Sequence, residues 1–204
     1  MCGRYVTGTD EHSWREWATL LELPTLTLPA DSSAWAEPFG PTAQVPILRL
    51  APEGPATPEL VLARWGLMPS WMKQPYKQRP QYNLRSETAP KRFKKYLARR
   101  RCVLPAARFW VRRDADRERV AVELPDQPLF GLAGLWTERE IDGKPARSCT
   151  ILTTEADAEL GRLHERMPVV LVGADARRWL AADDGAAILG ELSSATPPLR
   201  LTAA

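Results

Sequence analysis

The amino-acid sequence predicts an α+β fold, with a mainly antiparallel, barrel-like β core and helices at its periphery. Three observations predict it. The 204 residues suffice for one domain with a sizeable core, here taken as residues 1–204. Nineteen prolines against 12 glycines imply many short elements joined by stiff turns, not a helical bundle. Apolar runs of strand length recur between turn signals, without the regular strand–helix alternation of a parallel α/β sheet.

The elements follow in order. Thr9 or Asp10 can cap a helix running to about Leu21, with Trp14, Trp17, Leu20 and Leu21 on one face. Proline-rich Leu23 to Pro41 reads as an irregular loop. Val45–Leu50 and Leu60–Leu67 read as strands, the second closed by a turn at Met68-Pro69. The lysine-rich stretch from Ser86 or Glu87 to Arg100 has helical character. Short strands are predicted at Cys102–Leu104, Phe109–Arg113, Arg119–Leu124, Leu129–Trp136, Ser148–Thr153 and Val169–Val172. Ala174–Ala182 and Ala186–Leu192 read as terminal helices.

No apolar run approaches the ~20 residues of a membrane helix, and the N-terminus lacks a signal-peptide layout. A cytoplasmic protein with no membrane partner is expected. Cys2, Cys102 and Cys149 are an odd number without metal-ligand spacing, and His12 and His164 are the only histidines. No metal and no cofactor are expected, nor is a disulfide scaffold.

Charge is distributed unevenly. Val61 to Arg113 carries fifteen basic residues and one acid, Glu87, a net +14. The remainder carries 13 basic and 24 acidic residues, a net −11. The basic stretch also holds Trp65, Trp71, Tyr76, Tyr82, Phe93, Tyr96, Phe109 and Trp110. Cations neutralise a phosphate backbone while aromatic rings stack on unpaired bases, the combination that single-stranded nucleic acid requires. A solvated basic face around core aromatics is the alternative.

The chain opens Met1-Cys2-Gly3-Arg4-Tyr5. Removal of Met1 leaves an α-amine and a thiol on adjacent carbons, with reference pKa values of about 7.7–8.0 and about 8.5. The amine condenses with an aldehyde to a Schiff base, and the thiol closes on the same carbon to form a thiazolidine. A small buried side chain is the alternative for Cys2. An aldehyde trap beside a polyanion groove points to the ring-opened abasic sugar of DNA.

Five segments resemble the abasic-site processing, or SOS response-associated peptidase, family: Met1–Tyr5, Trp65–Trp71, Tyr82–Thr88, Thr150–Thr154 and Leu163–Pro168, in family order. The resemblance implies the barrel-like fold of that family. It also implies binding of single-stranded DNA containing abasic sites, and a thiazolidine crosslink through Cys2. By it Asn83 orients the reacting sugar and His164 does acid–base work. Arg4, Arg85 and Arg166 clamp phosphates, and Trp71 and Pro41 wedge against bases. Trp65 belongs equally to the core. A monomer is expected, and the DNA role implies nucleoid association.

Three departures stand out. The family pattern places its catalytic glutamate where this chain has Val111, with Arg108 and Arg112 replacing a glycine and a tryptophan. Glu37-Pro38-Phe39-Gly40-Pro41 lacks a DNA-contacting asparagine, and the C-terminal family strand reads as shortened or missing. Crosslinking without efficient reversal is therefore expected. The competing readings are a non-catalytic single-stranded DNA binder and an N-terminal-cysteine peptidase limited to removing Met1.

Overall fold

Short elements follow one another closely along the chain in the computed structural model, which describes residues 2–8, 10–23, 26, 32–52, 57–74 and 76–203. Arg4–Val6 forms β1 and Glu11–Leu20 forms α1. Asp10 caps α1 by accepting a hydrogen bond from the Ser13 amide at 2.8 Å, and Trp14, Trp17 and Ala18 form its buried stripe. Thr9, the other expected cap, and much of the 23–41 loop lie outside the described residues. Gln44–Leu50 (β2) and Pro58–Trp65 (β3) make a hairpin, and Asn83–Arg85 forms β4.

The lysine-rich segment makes two helices where one was predicted, Ala89–Arg92 (α2) and Lys94–Arg99 (α3). The chain breaks at Phe93, whose ring is buried against Trp71 and Tyr96. That aromatic packing outweighs the helical propensity of the lysines. Next come Arg101–Ala106 (β5), Arg108–Arg112 (β6), Arg119–Glu123 (β7), Phe130–Ile141 (β8) and Lys144–Glu155 (β9). Arg166–Pro168 (β10) and Val170–Leu171 (β11) precede Asp175–Ala181 (α4) and Gly185–Ser194 (α5). A terminal strand is present: Arg200–Ala203 (β12) pairs with β7.

Strands β9, β3, β2, β5 and β8 pair in a closed ring, because β8 and β9 also pair with each other. All these ladders are antiparallel except β3 with β9, so the barrel is mixed. Closure removes the open edges that a five-stranded sheet would present. Beyond Gly134 and Ile151 the β8–β9 ladder ends; there β10 pairs with β9 and β11 with β8. A second sheet, ordered β1-β6-β7-β12, carries the start of the chain. Its Cys2, Tyr5 and Val111 belong to the same apolar core as barrel residues Ile47, Trp65 and Ile151.

Buried Arg101 ties the helices to the barrel. Its guanidinium donates to the carbonyls of Trp179, Leu97, Ala98, Leu180 and Ala182. These include C-terminal carbonyls of α3 and α4 that have no partner within their helices. Among the described residues no helix is long and apolar enough to cross a membrane.

Gly134 sits where β8 is squeezed between β5 and β9. A Cβ there would lie 2.6 Å from Leu104 Cδ1 and 2.7 Å from the Thr150 carbonyl oxygen. Gly134→Ala is expected to lower stability by about 1–3 kcal/mol in urea denaturation; an unchanged midpoint would contradict this packing.

Candidate active site

Strand β1 pairs with β6 at Arg4↔Trp110 and Tyr5↔Phe109, which sets the chain start against Val111. The Tyr5 ring packs 5.2 Å from Trp65 and 5.3 Å from Phe39, both within the core. From the barrel side, Asn83 Nδ2 donates to the Cys2 carbonyl at 2.7 Å. Asn83 occupies this place because β4 runs parallel to β9, pairing at Asn83↔Ile151. Its Oδ1 is buried without a hydrogen-bond partner, an acceptor available to a ligand hydroxyl.

Cys2 itself is fully buried, and its thiol donates weakly to the Arg4 carbonyl at 3.5 Å. Burial pushes the thiol up to about 12, so it is protonated at neutral pH. Cys102 and Cys149 are likewise buried, and burial raises both.

Beside the chain start opens a cavity of about 420 Å³. The expected site residues Arg4, Pro41 and His164 line it, together with Gly3, Tyr82 and Val111. His164 is largely buried, and its Nδ1 accepts the Arg166 amide at 2.9 Å. That bond leaves the proton of the neutral ring on Nε2. Burial, followed by the positive charge of the chain terminus, holds His164 below its ordinary 6.5, so the ring is neutral at pH 7.

The remaining candidates lie elsewhere. Trp71 is 58% exposed and packs against Phe93 and Tyr96 at 5.6 and 5.8 Å, an aromatic step on the surface. Arg85 is exposed, 3.6 Å from equally exposed Glu165, a pairing too weak to hold it from a phosphate. Arg166 differs. It is 5% exposed, its guanidinium forks onto Glu87 at 2.8 and 3.0 Å, and it donates to the Thr153 carbonyl. Contact with a phosphate would require giving up that fork, so in this arrangement Arg166 braces β10 against β9. The paired Arg166 guanidinium in turn holds the Glu87 carboxyl below its ordinary value.

Sequence reasoning missed Arg79, Arg112, Arg117, Arg119 and Asp114, which also line the cavity. For all but Arg79 the signal was the dense charge of Arg112–Arg119, now seen as the β6–β7 hairpin. It straddles the end of the basic stretch at Arg113, so that stretch taken as a block did not bring it out.

The sequence profile of the SOS response associated peptidase (SRAP) family matches residues 1–202. The abasic site processing protein YoqW of Bacillus subtilis is 35% identical over 123 residues, 57% of this chain and 55% of that protein. The abasic site processing protein HMCES of Xenopus tropicalis is 32% identical over 152 residues, covering 60% of this chain and 45% of that protein. The matched regions thus span about half the length of these relatives. A crystal structure of a Bordetella bronchiseptica protein superposes with a TM-score of 0.80 at 24% identity, covering 100% of this chain and 99% of that one. A Bacteroides thetaiotaomicron protein gives 0.76 at 16% identity, over 99% and 91%. Both share the fold.

With Met1 retained, folded protein is expected to resist iodoacetamide at Cys2 at pH 8, where a thiol titrating near 12 is about one part in ten thousand thiolate. Denaturation should expose all three cysteines. Rapid alkylation of Cys2 in the folded state would contradict its burial.

Proposed function

The chain belongs to the SOS response associated peptidase family, and on that basis we propose that it binds single-stranded DNA and traps abasic sites covalently through Cys2. The observation that carries this reading is the joining of Cys2 to Asn83 beside a cavity lined by His164 and a ring of arginines. Removal of Met1 frees the Cys2 α-amine, which attacks the C1′ aldehyde of the ring-opened sugar and expels one water as the C=N bond forms. The sulfur then bonds to C1′, the C=N π pair moves onto nitrogen, and the thiol proton passes to that nitrogen. Holding amine, thiol and aldehyde together makes both steps effectively intramolecular.

Asn83 Oδ1 offers the unspent acceptor that a sugar hydroxyl needs. Arg4 and the cavity arginines attract the flanking phosphates. Exposed Arg85 contacts the backbone farther along, and Trp71 supplies a ring against which a base stacks. Pro41 lines the cavity mouth as a rigid wedge. Arg166 positions His164 through its amide and needs no phosphate for that role.

The second reading, a DNA binder without covalent chemistry, draws on one observation: the buried apolar Val111 stands where the family pattern has its glutamate. Processed protein is mixed with a uracil-containing single-stranded oligonucleotide treated with uracil-DNA glycosylase, then heated and resolved on a denaturing gel. A heat-stable shifted band is expected with wild type and none with Cys2→Ala. No wild-type band, or an equal band from the variant, would contradict covalent trapping through Cys2.

A further inference from the structure

The cavity beside Cys2 contains one carboxylate that none of the motifs accounts for. Position 111 cannot supply it, since Val111 is apolar and buried on β6. Three residues later Asp114 reaches the same cavity from the β6–β7 turn, and among the described residues it is the one acidic residue in a lining with five arginines. Its amide donates to the Leu163 carbonyl at 2.9 Å, which fastens the turn beside the residue preceding His164. Asp114 Oδ1 lies 3.9 Å from His164 Nε2. Among the described residues that imidazole is the charged or chargeable partner within 4 Å of the carboxylate; no arginine pairs with it.

His164 cannot readily accept a proton on that side. Its Nδ1 lone pair takes the Arg166 N–H, and its Nε2 therefore carries hydrogen. The ring is arranged to donate. We propose that Asp114 is the proton acceptor of this site and that His164 Nε2–H, 3.9 Å from the carboxylate and beyond hydrogen-bond reach of it, donates to the substrate, an assignment that rests on the crosslinking reading above. The role concerns the closed abasic sugar, a hemiacetal that must open before the amine can attack. The C1′ hydroxyl proton passes to the Asp114 carboxylate, the C1′–O4′ bond breaks as C1′=O forms, and O4′ takes the proton back from Asp114. His164 Nε2–H stabilises the negative charge building on O4′. The step is an isomerisation and consumes nothing.

The test uses full-length processed protein in single-turnover reactions on the abasic oligonucleotide. Asp114→Asn is expected to slow crosslink formation by about tenfold or more, general acid–base catalysis being typically worth ~10²–10⁴-fold. Asp114→Glu should recover most of the rate. His164→Gln, which keeps a donor, should outperform His164→Ala. An Asp114→Asn rate equal to wild type would overturn the assignment, as would His164→Gln being as slow as His164→Ala.

A second readout does not depend on DNA. The charges bearing on His164 are Asp114 and Glu165, the chain terminus, and the cavity guanidiniums of Arg4, Arg79, Arg112, Arg117 and Arg119. Asp114 favours the protonated ring, so Asp114→Asn should move the His164 NMR titration to lower pH. His12, the other histidine, is exposed on α1 and serves as the internal control. If wild type forms no crosslink, the crosslinking reading fails, and the His164 shift alone decides whether the two side chains act as a pair. A shift sustains the pairing; its absence overturns it.

Discussion

The site depends on where the first residues of the chain are anchored. Three residues of β-strand, Arg4–Val6, would not hold a terminus by themselves. They are fixed by burial of Tyr5 between Phe39 and Trp65, and by the Asn83 amide on the Cys2 carbonyl. One contact belongs to the apolar core and the other to a strand laid along the barrel. The barrel therefore sets the position of Cys2 to within the tolerance of a packed interior. A reaction needing amine, thiol and sugar carbon together requires that constraint.

The same framework divides the arginines into two populations. Arg101, Arg49 and Arg166 are buried and committed: Arg101 to helix-end carbonyls, Arg49 to Glu59 and the Trp136 face, Arg166 to Glu87. Each offsets its desolvation through hydrogen bonds or ion pairing. The lysines at 73, 77, 91, 94 and 95 remain exposed with Arg85. This second group is the one open to a polyanion in the proposed reading, and five further arginines line the cavity beside the chain start. Net charge over a stretch of sequence thus overstates the charge open at the surface, because part of it holds the fold together.

Much of the fold was legible because strands with strong apolar character read as such: Val45–Leu50, Phe109–Arg113 and Leu129–Trp136 fall within a few residues of β2, β6 and β8. The strands that escaped notice, β1, β4, β10 and β12, are three or four residues long and owe their structure to pairing with distant partners. Local pattern carries no record of such pairing. In the site, the resemblance pointed to Cys2, Asn83 and His164; Cys2 and Asn83 meet through a hydrogen bond, and His164 lines the cavity beside them. The burial of Arg166 was not legible, since it follows from Glu87 across β9. Asp114 was not legible either, because its proximity to His164 comes from a hairpin turn meeting a loop fifty residues away.

The central claim is chemical: the chain start closes a ring on the sugar carbon. Peptide mass spectrometry of nuclease-trimmed protein recovered from abasic single-stranded DNA tests it most directly. The account predicts an N-terminal peptide that begins at Cys2 and carries the deoxyribose remnant, with the loss of one water and a thiol no longer open to alkylation. A remnant attached to a lysine, or an N-terminal peptide still beginning at Met1 in crosslinked material, would contradict it.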